Sequence, residues 1–240
     1  MRRLFVLACA GLLALPAAAH DLITAESAQA YLEATDRLRQ VIDASGPAAG
    51  RAQAQAELGR MLDEIRELLN RDLDAHGRVQ GLPSNFLMSE LAARGTPLAF
   101  SATRNRFGAN LQYYREALTL APAGPAAADA MFGTLQGHFY DSFSADPLRP
   151  EGQSADQLTA QIRMAEAYLE RYPRHAGREE ARFILAIHYL QAARAEGRNG
   201  GREAYVRQAQ RATAGFLRDY PDSLRAAALT QLLDSVAGVE

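Results

Sequence analysis

From Leu111 onward one pattern returns three times: the end of an amphipathic helix, a proline, and the start of a second helix. The segments are Tyr114-Arg-Glu-Ala-Leu-Thr-Leu-Ala-Pro122, Ala167-Tyr-Leu-Glu-Arg-Tyr-Pro173 and Gly215-Phe-Leu-Arg-Asp-Tyr-Pro221. Internal repetition constrains a fold more than any single motif, because one helix pair cannot bury both of its faces and must stack on a neighbour. The first helices carry apolar stripes at Leu111, Tyr114 and Leu118, at Leu158, Ile162, Ala165 and Leu169, and at Val206, Ala209, Thr213 and Phe216. The second helices answer with Ala127, Ala130, Met131 and Leu135, with Ala181, Ile184, Leu185 and Tyr189, and with Leu229, Leu232, Leu233 and Val236. Three-and-four spacing of this kind is the signature of a one-faced helix. Ala130 and Ala181, each eight positions after its proline, allow paired helices to approach closely.

The rest of the chain is also helical in pattern. Thr24 is an expected N-cap, and Ala28, Tyr31, Leu32, Leu38, Val41 and Ile42 keep to one face until Ser45-Gly46-Pro47. A second helix is expected from Ala48 to Leu73, its stripe of Leu58, Met61, Leu62, Ile65, Leu68, Leu69 and Leu73 pairing antiparallel with the first. Ser84 to Arg94 reads as a short helix capped by Ser84 and stopped by Gly95, and Thr96 to Gly108 as loop. No run alternates apolar and polar residues as a half-buried strand does. The expected fold is all-α: a signal peptide over 1–19, a helical hairpin and connecting segment over 20–110, and three helix-hairpin repeats over 111–240.

The segments Tyr172-Pro173-Arg-His-Ala-Gly-Arg-Glu-Glu-Ala181 and Tyr220-Pro221-Asp-Ser-Leu-Arg-Ala-Ala resemble the tetratricopeptide-like repeats of bacterial envelope proteins. Successive prolines lie 51 and 48 residues apart, wider than the roughly 34 of the standard unit. The loops 144–156 and 195–202 absorb most of the excess. The resemblance implies an α-solenoid that binds a protein or peptide through its exposed face. On the first helices that face offers Gln112, Tyr113, Arg115, Arg163, Glu166, Arg207 and Arg211, of which Tyr113, Arg163 and Arg211, with Tyr140, are the candidate binding residues. No Lys and Asn clamp for a peptide carboxylate can be matched.

Arg2 and Arg3, the apolar run Leu4 to Leu15 and the small residues Pro16-Ala17-Ala18-Ala19 read as a secretory signal peptide. The run is short of the ~20 residues a membrane span requires. Cleavage after Ala19 removes the only cysteine, Cys9, and with it any disulfide or thiolate chemistry. Two alternatives attach to this segment: Arg2-Arg3-Leu4-Phe5 resembles a fragment of a twin-arginine signal, and Val6-Leu7-Ala8-Cys9 resembles a lipoprotein cleavage box. Loss of Arg2 and Arg3 takes the net charge from −2 to −4. That balance argues against a nucleic-acid partner, which calls for a concentrated positive face. The expected location is periplasmic.

No nucleophile elbow, phosphate loop, zinc-protease motif or dinucleotide fingerprint occurs, so neither an enzyme nor a cofactor is expected. Three weak constellations could hold metal. Asp72, Asp74 and His76-Gly77 match the opening of a calcium loop, but Pro83 stands where its bidentate Glu belongs. His138 and His188 lie 16 and 15 residues after their repeat prolines, and His20 becomes an N-terminal copper chelator if cleavage follows Ala19. The expected function is therefore an exported scaffold or adaptor binding another envelope protein; the alternative is a periplasmic calcium- or copper-binding helical protein. In the last turn of its helix, Phe139 with Phe143 is expected to seal the first repeat against the second, with Tyr140 reaching the surface through its hydroxyl.

Overall fold

The computed structural model describes residues 22–142, 146–150, 152–196 and 201–237. Among them are nine helices and one two-stranded hairpin, an all-α repeat fold. The helices are α1 (Ala25–Asp43), α2 (Ala48–His76), α3 (Leu82–Ala93), α4 (Leu111–Leu120), α5 (Ala127–Asp141), α6 (Ala155–Arg171), α7 (Arg178–Ala195), α8 (Gly201–Asp219) and α9 (Arg225–Ala237). The strands β1 (Phe100–Ser101) and β2 (Arg106–Phe107) lie between α3 and α4. The chain forms two compact units, Ala17–Gly137 and His138–Glu240, so that α5 begins in one and ends in the other.

In the Ala17–Gly137 unit, α1 starts at a capping box: the Thr24 hydroxyl accepts from the Ser27 backbone N–H, and the Ser27 hydroxyl accepts from Thr24 N–H. The Tyr31 hydroxyl donates to Glu64 at 3.0 Å and Arg51 Nε donates to the Ile42 carbonyl at 3.0 Å, a pair of contacts that makes α1 and α2 antiparallel. Leu32, Leu58, Leu62, Ile65, Leu69, Leu87 and Leu91 fill the core between α1, α2 and α3. The α2 helix runs one turn past Leu73, ending where Gly77 takes a φ of 71° and its N–H returns to Leu73 at 2.7 Å. Farther back along α2, Tyr114 of α4 lies in a slot walled by Gly59 and Gly133, where an added Cβ would approach its ring to 2.9 and 2.3 Å. Its hydroxyl donates to Asp63 at 2.8 Å.

Three expectations are corrected here. The segment Thr96 to Gly108 is not all loop: Phe100 pairs with Phe107 and Ser101 with Arg106, the turn closing through Asn105 at a φ of 46°. Asparagine is among the few residues that enter this left-handed region at low cost. Asn70 holds the hairpin from α2, accepting from Phe107 N–H at 2.8 Å and donating to its carbonyl at 2.9 Å. Ser84 does not cap α3, which starts two residues earlier after Gly81 with Pro83 in its first turn. Proline fits there because its missing N–H would be unpaired anyway. Tyr113, expected on an exposed face, is half-buried against the α1–α3 core.

The three proline turns are built alike. At the first, Gly124 N–H bonds Ala121 carbonyl and Ala127 N–H bonds Gly124; at the second, His175 bonds Tyr172 and Arg178 bonds His175; at the third, Ser223 bonds Tyr220 and Ala226 bonds Ser223. In the His138–Glu240 unit these turns join α6 to α7 and α8 to α9. Ser154 and Gln157 form a second capping box at the start of α6. Ala165, Ala181, Ile184 and Phe216 are fully buried, as the repeat stripes require, whereas Leu169 is half-buried and Tyr168, outside the expected stripe, is fully buried. Phe139 is buried edge-on against Phe183 and His188, with centroids 6.3 and 5.6 Å away, so it does seal α5 to α7. Its expected partner Phe143 lies outside the described residues.

Candidate binding groove

Within the His138–Glu240 unit, a groove of about 340 Å³ runs along the facing sides of α7 and α8 and is closed on one flank by Leu169 of α6. From α7 come Arg182, Leu185 and Tyr189, spaced three and four apart on one face. From α8 come Gln208, Arg211, Ala212, Gly215 and Arg218. The floor is apolar, made by Leu169, Leu185, Ala212 and the Tyr189 ring, and the rim is polar and basic. Gly215 stands where the preceding repeat has Ala167, and its carbonyl accepts from Arg182 at 3.2 Å.

Electrostatics distinguish the three rim cations. Arg182 is ion-paired with Asp219, and Arg218 Nε meets the other oxygen of the same carboxylate at 3.0 Å. Arg211 is exposed, with no acidic partner among the described residues. The Tyr189 hydroxyl donates to Glu166, so burial and then that carboxylate push the phenol above its ordinary range. An unneutralised guanidinium beside an apolar trough matches a ligand with an acidic group next to apolar ones, because its planar fork pairs with a carboxylate through two hydrogen bonds.

The other expected binding residues are not in the groove. Arg163 is exposed on α6 away from the lining, and Tyr113 belongs to the Ala17–Gly137 unit. Tyr140 does reach the surface, but its hydroxyl donates to Glu180 at 2.8 Å. Glu180 in turn meets Arg225 at 3.4 Å, and Arg225 lies over the Phe183 ring at 5.6 Å, a network that ties α5, α7 and α9 together. Sequence reasoning placed Leu185 and Tyr189 in the core and passed over Arg182 and Arg218.

Asp72, Asp74, His76 and His188 are engaged within the protein. Asp72 and Asp74 sit on the last turns of α2: Asp72 accepts from His76 at 2.9 Å and from the Gln80 backbone, and Asp74 pairs with Arg106 at 2.8 Å. His188 is fully buried, its Nδ1 bonded to Gln191 at 2.9 Å. Gln191 donates its amide N–H to the Pro147 carbonyl at 2.8 Å, so its oxygen is the acceptor and His188 carries its proton on Nδ1. Burial pulls the imidazole down to about 4, a neutral core histidine, with His138 close enough to add a smaller push in the same direction. No group of three His, Cys, Asp or Glu side chains suited to a metal occurs among the described residues. His20 lies outside them.

Two hairpins closed by like proline turns and packed side by side define a helical-repeat protein. A family model described as "YfiO: Outer membrane lipoprotein" matches residues 153–237, the stretch that holds α6 to α9 and the whole groove, though less than half of the chain. No curated protein and no solved structure matches the chain. No helix among the described residues is long and apolar enough to cross a membrane.

Proposed function

We propose that this protein is an exported scaffold of the bacterial envelope that binds another envelope protein by holding an extended segment of it in the α7–α8 groove. The observation that carries the reading is Arg211, an unpaired cation on the rim of an apolar trough inside the segment similar to an outer-membrane lipoprotein family. The segment bound there lays apolar side chains on Leu169, Leu185 and Ala212 and sets a carboxylate against Arg211. Nothing in the groove supplies a nucleophile with its base: the nearby histidine, His188, is sealed in the core. The lining therefore supports a binding role for this groove.

A photo-crosslinking residue at Gln208, tested in intact cells, should yield one reproducible adduct with an envelope protein. Arg211→Glu should reduce that adduct about tenfold, a loss of ~1.4 kcal/mol, by turning attraction into repulsion. The same probe placed at Arg163 should give no adduct. Equal labelling from both positions, or an adduct indifferent to Arg211→Glu, would sink the groove reading.

A further inference from the structure

The Ala17–Gly137 unit carries a surface that the groove does not use. The α3 helix is apolar on two sides. Leu87 and Leu91 enter the core, while Leu82 and Phe86, one turn apart on another face, are 85% and 51% exposed. Single exposed apolar side chains are ordinary on a protein surface; Leu82 and Phe86 instead form an exposed pair one turn apart.

Several contacts place this pair at one end of the unit. Gln80 N–H bonds the Asp72 carboxylate, which pins the start of α3 to the last turn of α2. The hairpin turn arrives at the same end, where Asn105 donates to the Gly77 carbonyl at 3.4 Å and Arg106 meets Asp74 at 2.8 Å. The antiparallel register set by Tyr31 and Glu64 brings the start of α1 there too, with Leu22 47% exposed. Among the described residues at this end, Arg71 and Arg78 are exposed alongside Glu26, Asp74 is engaged by Arg106 and Asp72 is buried beneath His76.

We propose that this end of the unit docks on an anionic phospholipid surface, Leu82 and Phe86 entering below the headgroups while Arg78 meets the phosphates. The exposure favours lipid over a protein groove: Leu82 and Phe86 project from the start of α3, with the exposed Arg78 four residues before Leu82. Apolar burial and cation–phosphate attraction then act together, and arginine can lay its alkyl stem along the interface while its charge stays with the phosphates. The surface orients the scaffold against the membrane independently of what the groove holds.

The test is flotation of the exported protein carrying Cys9→Ala, so that no acyl chain contributes, with vesicles of phosphatidylethanolamine and phosphatidylglycerol. The protein should rise with the vesicles, and Leu82→Ser with Phe86→Ser should cut the bound fraction at least tenfold without changing the melting temperature. If serine alters melting, the Leu82→Ala and Phe86→Ala pair should show the same loss. Arg78→Glu should weaken flotation severalfold, as should added salt, whereas Arg211→Glu should leave it unchanged, so this surface and the groove can fail separately. Protein that stays at the bottom of the gradient overturns the proposal, as does equal flotation of the double variant. Crosslinking of Phe86 to a protein without any vesicle binding would assign the surface to a protein instead.

Discussion

At the scale of the residue, His188 is the most informative side chain. Its Nε2 is buried with no hydrogen-bond partner, while its Nδ1 is committed to Gln191. Proteins tolerate such an orphan because the neutral ring loses one acceptor interaction, whereas a protonated ring would place a charge against Phe139. The native state therefore holds the proton less tightly than the unfolded chain does, whose histidine titrates near 6.5. Stability from this group is fully present above about pH 6.5 and is lost as the pH falls toward 4, by about 3 kcal/mol over that window. His188→Asn keeps a donor for Gln191 and cannot titrate. Urea melts at a series of pH values should show the wild-type protein losing that margin relative to the variant. A parallel pH profile for the two proteins would refute it.

Among elements, the β-hairpin is the one that local sequence hides. Two residues per strand give no alternation to read, and the hairpin owes its place to Asn70, a polar residue in the apolar stripe of α2. Asn70→Ala would leave Phe107 N–H and C=O unpaired and should cost roughly 2–4 kcal/mol by urea titration. Faster hydrogen exchange at Phe107 would accompany it. If stability held, the hairpin would be an accessory of α2 rather than fixed to it. The long stripes and prolines, by contrast, were legible, because Leu58 to Leu73 and the Tyr-Pro turns express a period that survives any tertiary context. The α3 boundary was not, since Gly81 caps without a side chain and Ser84 looks like the better cap. The groove was half legible: Arg211 stood on an expected face, but Tyr189 on an apolar stripe could not announce that its ring would floor a trough.

For the molecule as a whole, the sequence predicts export and removal of residues 1–19. Intact mass of the protein recovered from the envelope should correspond to a chain beginning at His20. A mass carrying an acylated Cys9 would instead make the protein a lipoprotein, as the description of the family matched by residues 153–237 suggests for its members. The two outcomes place the groove differently in the cell, one at the end of a lipid tether and the other free to diffuse, without altering its chemistry.

Four tyrosines share one device: Tyr31, Tyr114, Tyr140 and Tyr189 each give their hydroxyl proton to a carboxylate on another helix. Burial and the facing negative charge hold all four phenols above their ordinary pKa, Tyr31 at about 12. Raised folded values mean stability that is intact below about pH 10 and lost as the pH climbs through the folded pKa. The chain contains no tryptophan, so its near-ultraviolet spectrum belongs to tyrosine. In an alkaline titration these seams should ionise together with unfolding, in one steep rise of tyrosinate absorbance rather than a graded series. The protein thus carries its own optical gauge of whether its helices are still docked.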